Sequence, residues 1–265
     1  MPIECANSLT KINQDEFKRL DYAVTGHAFK THTALGRLFD EAIYSNELTH
    51  RLTANGIKAQ QEVEIIISHK EFSKSYFIDL LINNCIPYEL KTSDDIHPKH
   101  SAQLLNYLYL TNINHGKILN FRPISLQTRF VSTSLTELDR KQYNITQNNW
   151  IEIDTNRPLL PLLHELLSDW GTHLPIELYQ EALLTLARSD DIGAPTTAIN
   201  LAGRNLGQHK LPLLTPNCML YLSATAKFKN DYKRHIEHLL SMTALHTAQW
   251  INMNGSTIEL QSISV

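Results

Sequence analysis

The chain is short of cysteine: Cys5, Cys85 and Cys218 are the three among 265 residues. They are far apart and odd in number, and no CxxC pair occurs. That argues against a zinc ribbon or a disulfide framework and fits free thiols in a reducing, cytoplasmic setting. The opening MPIECANSLTKINQDEFKR has no apolar signal core. No uninterrupted apolar run approaches the roughly 20 residues that a membrane helix needs, so no membrane is expected as a partner. Excess positive charge is missing too. Lys and Arg number 24 against 27 Asp and Glu, for a net charge of -3. Bulk electrostatics therefore offer a polyanion no general attraction, although a local basic patch or a bound cation escapes such a count. Internal repeats and low-complexity tracts are also missing. What is there is an ordinary globular mix, 42% hydrophobic and 19% charged, enough apolar surface for a core in one large or two small domains.

Periodicity organises the first half. Apolar positions Leu20, Ala23, Val24 and Ala28 recur at threes and fours, and Gly36 interrupts the pattern. Two helices are expected, over about 15–34 and 38–54, with Gly56 after the second as its cap. QEVEIIIS (61–68), SYFIDLLI (75–82) and CIPYELK (85–91) read as three strands. SHKEFSK and Asn83-Asn84 are the turns between them. A polar loop, a helix from Pro98 to Thr111, and strands near 116–121 and 128–132 follow. This order predicts an α/β or α+β sandwich with a mixed central sheet flanked by helices. Residues 133–149 read as a polar linker. The second half is expected to be a smaller α+β domain over 150–265. Its elements are a strand at WIEID, helices near 159–170 and 175–188, and a broken stretch over 189–217. A strand (219–226), a helix (229–244) and a hairpin (248–263) turning at Asn254-Gly255 complete it.

Asp79 stands inside the apolar run Tyr-Phe-Ile-Asp-Leu-Leu-Ile, where an ionised carboxylate is costly unless paired or metal-bound. Ten residues later Glu89 and Lys91 share one face of a strand, with Leu90 on the other. If the two strands pair through Asn83-Asn84, Asp79 lies near Glu89. Two carboxylates and a lysine on one sheet face suit phosphodiester hydrolysis. The carboxylates would hold a hard cation, magnesium or manganese in its place, and the lysine would attend the attacking water. An E-x-K on a strand is also what a solvated face presents, and spacing alone leaves both readings open. Pro87, inside the strand that carries Glu89, implies a bulge or a sheet edge.

Five stretches carry a resemblance: THTALGRLFDEAIYSNEL (31–48), NGIKAQQEVEIII (55–67), FIDLLINNCIPYELK (77–91), HSAQLLNYLYLT (100–111) and GKILNF (116–121). In order and spacing residues 20–131 resemble the GxxExxY proteins, a branch of the PD-(D/E)XK nuclease superfamily. Leu38 stands where the naming glycine falls. The resemblance implies a restriction-endonuclease-like core over 1–132 and puts Asp79, Glu89 and Lys91 on catalytic positions. Glu41 would complete the metal shell with Asp79 and Glu89. Gln103 would support the site, and Tyr107, His100 and Tyr44 would meet substrate. The implied activity is a magnesium-dependent nuclease on DNA, or on RNA, with a homodimer as a further expectation.

Other features carry bland readings beside sharp ones. His235 and His238 are three apart on a helix and are more simply surface decoration than metal ligands. His97 and His100 flank Pro98 and either contact substrate or cap the next helix. Gly203-Arg-Asn-Leu-Gly207 lacks the Lys-Ser/Thr of a phosphate loop and reads as a turn. Lys227, Lys229, Lys233 and Arg234 read as a solvated helix face, and Trp170 and Trp250 as core. Two further functions stay open beside the nuclease: a catalytically silent nucleic-acid- or protein-binding module of the same fold, and a hydrolase of another phosphate ester.

Overall fold

The computed structural model describes residues 2–190, 192, 195–227 and 229–265. The chain divides into two compact units, one of residues 1–68 and 73–137 and one of 69–72 and 138–265. The fold is mixed α+β with a mixed central sheet, consistent with a restriction-endonuclease-like core.

The first unit runs β1 (Ile3–Cys5), α1 (Gln14–Leu35), α2 (Glu41–Ala54), β2 (Ala59–His69), β3 (Phe72–Ile82), β4 (Ile86–Lys91), α3 (Pro98–Thr111), β5 (His115–Asn120) and β6 (Gln127–Ser132). Its six strands stand in sequence order across one sheet. Asn13 starts α1 with a capping box. Its Oδ1 accepts the Asp15 and Glu16 amides at 3.0 and 2.9 Å, and Glu16 Oε2 accepts the Asn13 amide at 3.0 Å. Such caps contribute about 1 kcal/mol. Gly36, with φ +71°, ends the helix in a conformation that a side chain resists. Phe17, Val24 and Ala28 of α1 and Tyr44, Leu48 and Leu52 of α2 pack on Leu80, Ile82, Tyr88, Leu90, Leu119 and Phe121 of the sheet side. Each such apolar side chain, buried whole, contributes roughly 1.5–3 kcal/mol. β1 lies where the sequence reads as a polar lead-in. It pairs with β2 through Ile3 and Ile67, an addition that three residues of sequence do not announce.

Two features place the functional strand. Asn83 and Asn84 both have positive φ, +47° and +56°, and the Cys85 amide closes the turn on Ile82 at 2.9 Å. Asparagine tolerates this left-handed backbone, and the pair of angles matches the twist of a tight hairpin. β3 and β4 then pair antiparallel, Ile82 with Ile86, Leu81 with Pro87 and Leu80 with Tyr88, while β4 and β5 pair parallel from Tyr88 and Lys117 onward. Pro87 is therefore neither at an edge nor in a bulge, contrary to the expectation. Amide directions alternate along a strand. Leu90 donates toward β3, so residue 87 faces β5, whose register begins one residue later and asks no hydrogen of proline. Gly116 clears the same spot, since a Cβ there would lie 2.9 Å from the Pro87 carbonyl oxygen.

The second unit contains α4 (Glu137–Arg140), β7 (Asn144–Asn148), α5 (Leu159–Trp170), α6 (Ile176–Ala187), β8 (Thr196–Leu201), β9 (Arg204–Lys210), β10 (Leu213–Thr215), β11 (Cys218–Ser223), α7 (Lys229–Ser241), β12 (Thr247–Asn254) and β13 (Thr257–Ser264). Its main sheet has the order β10-β11-β12-β13-β7, with β11 parallel to β12 and β13 parallel to β7. The stretch read as a linker thus holds a helix and a strand: NITQN pairs with the start of β13. WIEID, read as a strand, carries no regular structure in its place. The broken stretch over 189–217, of which Asp191, Gly193 and Ala194 lie outside the described residues, contains the β8–β9 hairpin. Ala202 and Gly203 take positive φ at its turn. Trp170 and Trp250 are core, as read, and His235 and His238 are exposed on α7. The basic cluster there is largely neutralised, with Lys229 on Glu259, Lys233 on Glu237 and Arg234 on Asp231.

Candidate active site

The β3–β4 hairpin brings Asp79 and Glu89 together. One step beyond the last paired residues, Leu80 and Tyr88, the backbone ladder stops and a side chain takes over. Asp79 Oδ2 accepts the Leu90 amide hydrogen at 2.8 Å. Lys91, two residues after Glu89 and on the same face, aims its ammonium among three carboxylates. It contacts Glu89 Oε1 directly and stands 3.7 Å from Asp79 Oδ2 and 3.8 Å from Glu41 Oε1. Glu41 arrives from the first turn of α2, where an acidic residue also complements the helix dipole. Asp79, Glu89, Lys91 and Glu41 therefore form one cluster.

Burial decides the electrostatics. The Glu89 side chain is 0% exposed, and neither of its oxygens accepts a well-formed hydrogen bond. Burial first, and the neighbouring Asp79 second, push its carboxyl up to about 8 against the pull of Lys91. Burial likewise raises Asp79, opposed by Lys91 and by the Leu90 amide, and raises Glu41. For Lys91, burial alone would lower the pKa. Glu89, Asp79 and Glu41 outweigh it and hold the ammonium above its ordinary value. A buried carboxyl that shares one ammonium with two other carboxylates is a costly arrangement that a further cation relieves. Among the described residues no three His, Cys, Asp or Glu side chains stand ready-made as a metal cage. The donor chemistry is still that of a hard cation: three carboxylates, the buried one, Glu89, contacted by the Lys91 ammonium.

α3 supplies the next layer. Gln103 Nε2 donates to the Tyr107 hydroxyl at 3.0 Å, so the pair four apart on one helix face is joined to itself rather than to a carboxylate. Burial, reinforced by the charges of Glu89 and Asp79, raises the Tyr107 phenol and keeps it a neutral donor beside them. Two expected contact residues serve other ends. His100 is buried and its Nδ1 accepts the His97 amide at 3.2 Å, so it caps α3. Tyr44 is fully buried. It stacks on Phe121 at 4.6 Å, donates to the Gly36 carbonyl at 3.0 Å and accepts the Phe39 amide at 3.3 Å. With no exposed surface it cannot meet a substrate, and its work is to fix the loop that leads into Glu41.

Two residues were not anticipated. Asn120, fully buried at the end of β5, accepts the Ser93 amide at 3.1 Å and donates to the Ser93 carbonyl at 2.7 Å, bracing the loop that follows Lys91. The amide that ends the apolar run GKILN was its one visible signal. Glu62 sits in mid-strand with φ +49°, a conformation unusual for a side-chain-bearing residue, and its charge acts on Glu41 and Tyr107. Nothing in QQEVEIII marks that departure.

No curated protein matches the chain. Among solved structures, one described as "Crystal structure of SSO0001" is 20% identical over 50% of this chain and 72% of that chain, with a TM-score of 0.32. Over residues 18–131, the stretch that carries Glu41, Asp79, Glu89 and Lys91, the chain matches the family model of the PD-(D/E)XK nuclease superfamily.

Proposed function

We propose that the first unit is a metal-dependent nuclease of the GxxExxY branch that hydrolyses phosphodiester bonds in DNA. The superfamily match supports a nuclease-like activity. The observation that carries the finer reading is the buried Glu89 side chain, held beside Asp79 and Glu41 with the Lys91 ammonium against its Oε1. Asp79, Glu89 and Glu41 would hold magnesium, with manganese able to replace it. When bound, such a cation polarises the scissile phosphate and acidifies a coordinated water. Lys91 would orient the attacking water and offset charge growing on the phosphoryl oxygens. Tyr107, kept neutral and fixed by Gln103, can donate a hydrogen bond toward the same face.

A second reading is favoured by one observation. Lys91 already lies near all three carboxylates, which is how a catalytically silent module that keeps the fold to bind nucleic acid or protein would stabilise the cluster. Cleavage of plasmid and single-stranded DNA in magnesium, in manganese and in EDTA separates the two. The nuclease reading expects metal-dependent nicking or degradation that Lys91→Ala reduces by at least about a hundredfold. Binding without cleavage supports the silent module. Turnover of phosphomonoesters or free nucleotides, with polymers untouched, points to a different phosphate ester.

A further inference from the structure

The end of the sheet that carries Lys91 also carries a fixed, unneutralised guanidinium. Arg122 follows β5, and the parallel β4 and β5 end side by side: Lys91 pairs with Asn120, and the Phe121 amide donates to the Lys91 carbonyl at 2.8 Å. Arg122 Nε donates to the carbonyl of Thr92, the residue after Lys91, at 3.2 Å. Its Nη1 donates to the Arg37 carbonyl at 3.0 Å. These bonds tie together the loop before Glu41 and the loop after Lys91, and they engage only part of a five-donor fork.

Charge makes the arrangement informative. Among the described residues neither Arg122 nor Arg37 has a carboxylate within ion-pair distance. Of the two acidic groups on the adjoining loop, Asp94 is exposed and forms no ion pair with either arginine, and Asp95 is occupied by the Ile96 amide and Gln127. Arg37 is exposed. In a chain of net charge -3, where most basic residues of the α7 cluster are paired, the Arg122 guanidinium and the exposed Arg37, whose carbonyl it holds, adjoin the loops that carry the acidic cluster proposed to act on a polyanion. Arginine rather than lysine suits this place. Its planar fork can give Nε and Nη1 to carbonyls and still turn the hydrogens of Nη2 to a phosphate oxygen.

We propose that Arg122 and Arg37 form a phosphate clamp that holds the sugar–phosphate backbone of the substrate strand beside the scissile position. The proposal rests on the nuclease reading for its substrate class. It assigns a binding role to residues outside the D…ExK set. Arg122 is the preorganised half of the clamp and Arg37 the adaptable half.

The test is equilibrium binding of a short fluorescein-labelled DNA duplex, with its RNA counterpart in parallel, to the full chain in EDTA across a salt series. Arg122→Gln and Arg37→Gln should each weaken binding about tenfold and make the slope of log affinity against log salt shallower by about one, the signature of one lost phosphate contact. Arg122→Lys should keep most of the slope. Arg122→Gln also loses two internal bonds, so Arg37→Gln, whose guanidinium has no carboxylate partner inside the protein, guards against a folding artefact. Wild-type slopes in both Gln variants, or no binding by the wild type, overturn the clamp. Cleavage is scored separately. Binding with the expected slope changes but no hydrolysis in magnesium or manganese removes the nuclease reading and leaves the clamp. Hydrolysis with unchanged slopes removes the clamp alone.

Discussion

Asp79 and Leu90 are joined where two strands cease to pair: the carboxylate of one accepts the backbone hydrogen of the other at 2.8 Å. A side chain stands in for a ladder bond, so the sheet opens at the point where Glu89 and Lys91 need room. The two duties of Asp79, acceptor and charge, are separable. Asp79→Asn keeps an acceptor for the Leu90 amide and should cost less than about 1 kcal/mol of stability. Asp79→Ala orphans that amide and should cost about 1–3 kcal/mol. Both should lower cleavage at least a hundredfold. Thermal melts beside cleavage assays check this, and equal loss of stability in both variants would contradict it.

Glu89 should make the cation-free protein sensitive to alkali. Its carboxyl is pushed from 4.5 up to about 8. A folded pKa above the unfolded value contributes stability that is fully present below the unfolded pKa and is lost as pH rises through the folded one. Melting temperature in EDTA should therefore fall between about pH 5 and 9, and Glu89→Gln should flatten that fall. Asp79, also raised, acts with the same sign. Equally steep profiles for wild type and variant would show that Glu89 is not the buried titrating group.

Tyr44 should prove to be a support. Tyr44→Phe keeps the stack on Phe121 and removes the bonds to the Gly36 carbonyl and the Phe39 amide. A stability loss of about 1–2 kcal/mol is expected, with substrate affinity altered no more than a few-fold. Denaturant melts and titrations check both, and a large loss of affinity at unchanged stability would return Tyr44 to the substrate.

Gly116→Ala tests the accommodation of Pro87. The new Cβ would stand 2.9 Å from the Pro87 carbonyl oxygen and 3.1 Å from Leu104. Backbone cannot yield as a flexible side chain does, so a loss of about 1–3 kcal/mol is expected from overpacking. An alanine variant as stable as wild type would mean that β4 and β5 approach less closely.

The legible parts of this protein are the ones written locally. Asn83-Asn84 announced a hairpin, and the hairpin dictated that Asp79 meet Glu89. The apolar rhythms of α1, α5 and α6 announced helices. What escaped was written across long separations. The mostly polar NITQN becomes a strand because β13 offers it an edge, and WIEID, with a better alternation, joins no ladder, its Ile151 backbone being taken by the Ser262 and Gln249 side chains. Pro87 looked disruptive because one strand cannot show which neighbour its missing hydrogen would face. The bracing of the loop after Lys91 by Asn120 and Arg122 joins residues about 30 positions apart, and no local pattern records it.

Whether the carboxylates around Lys91 hold a cation decides the function proposed for this site, and calorimetric titration of the full chain with magnesium or manganese measures that directly. Wild type should bind, and Glu89→Gln should weaken binding at least tenfold, as expected when a charged ligand is lost. It should also abolish the cation's effect on the melting temperature. Equal affinity in both proteins, or no affinity in the wild type, would contradict the account.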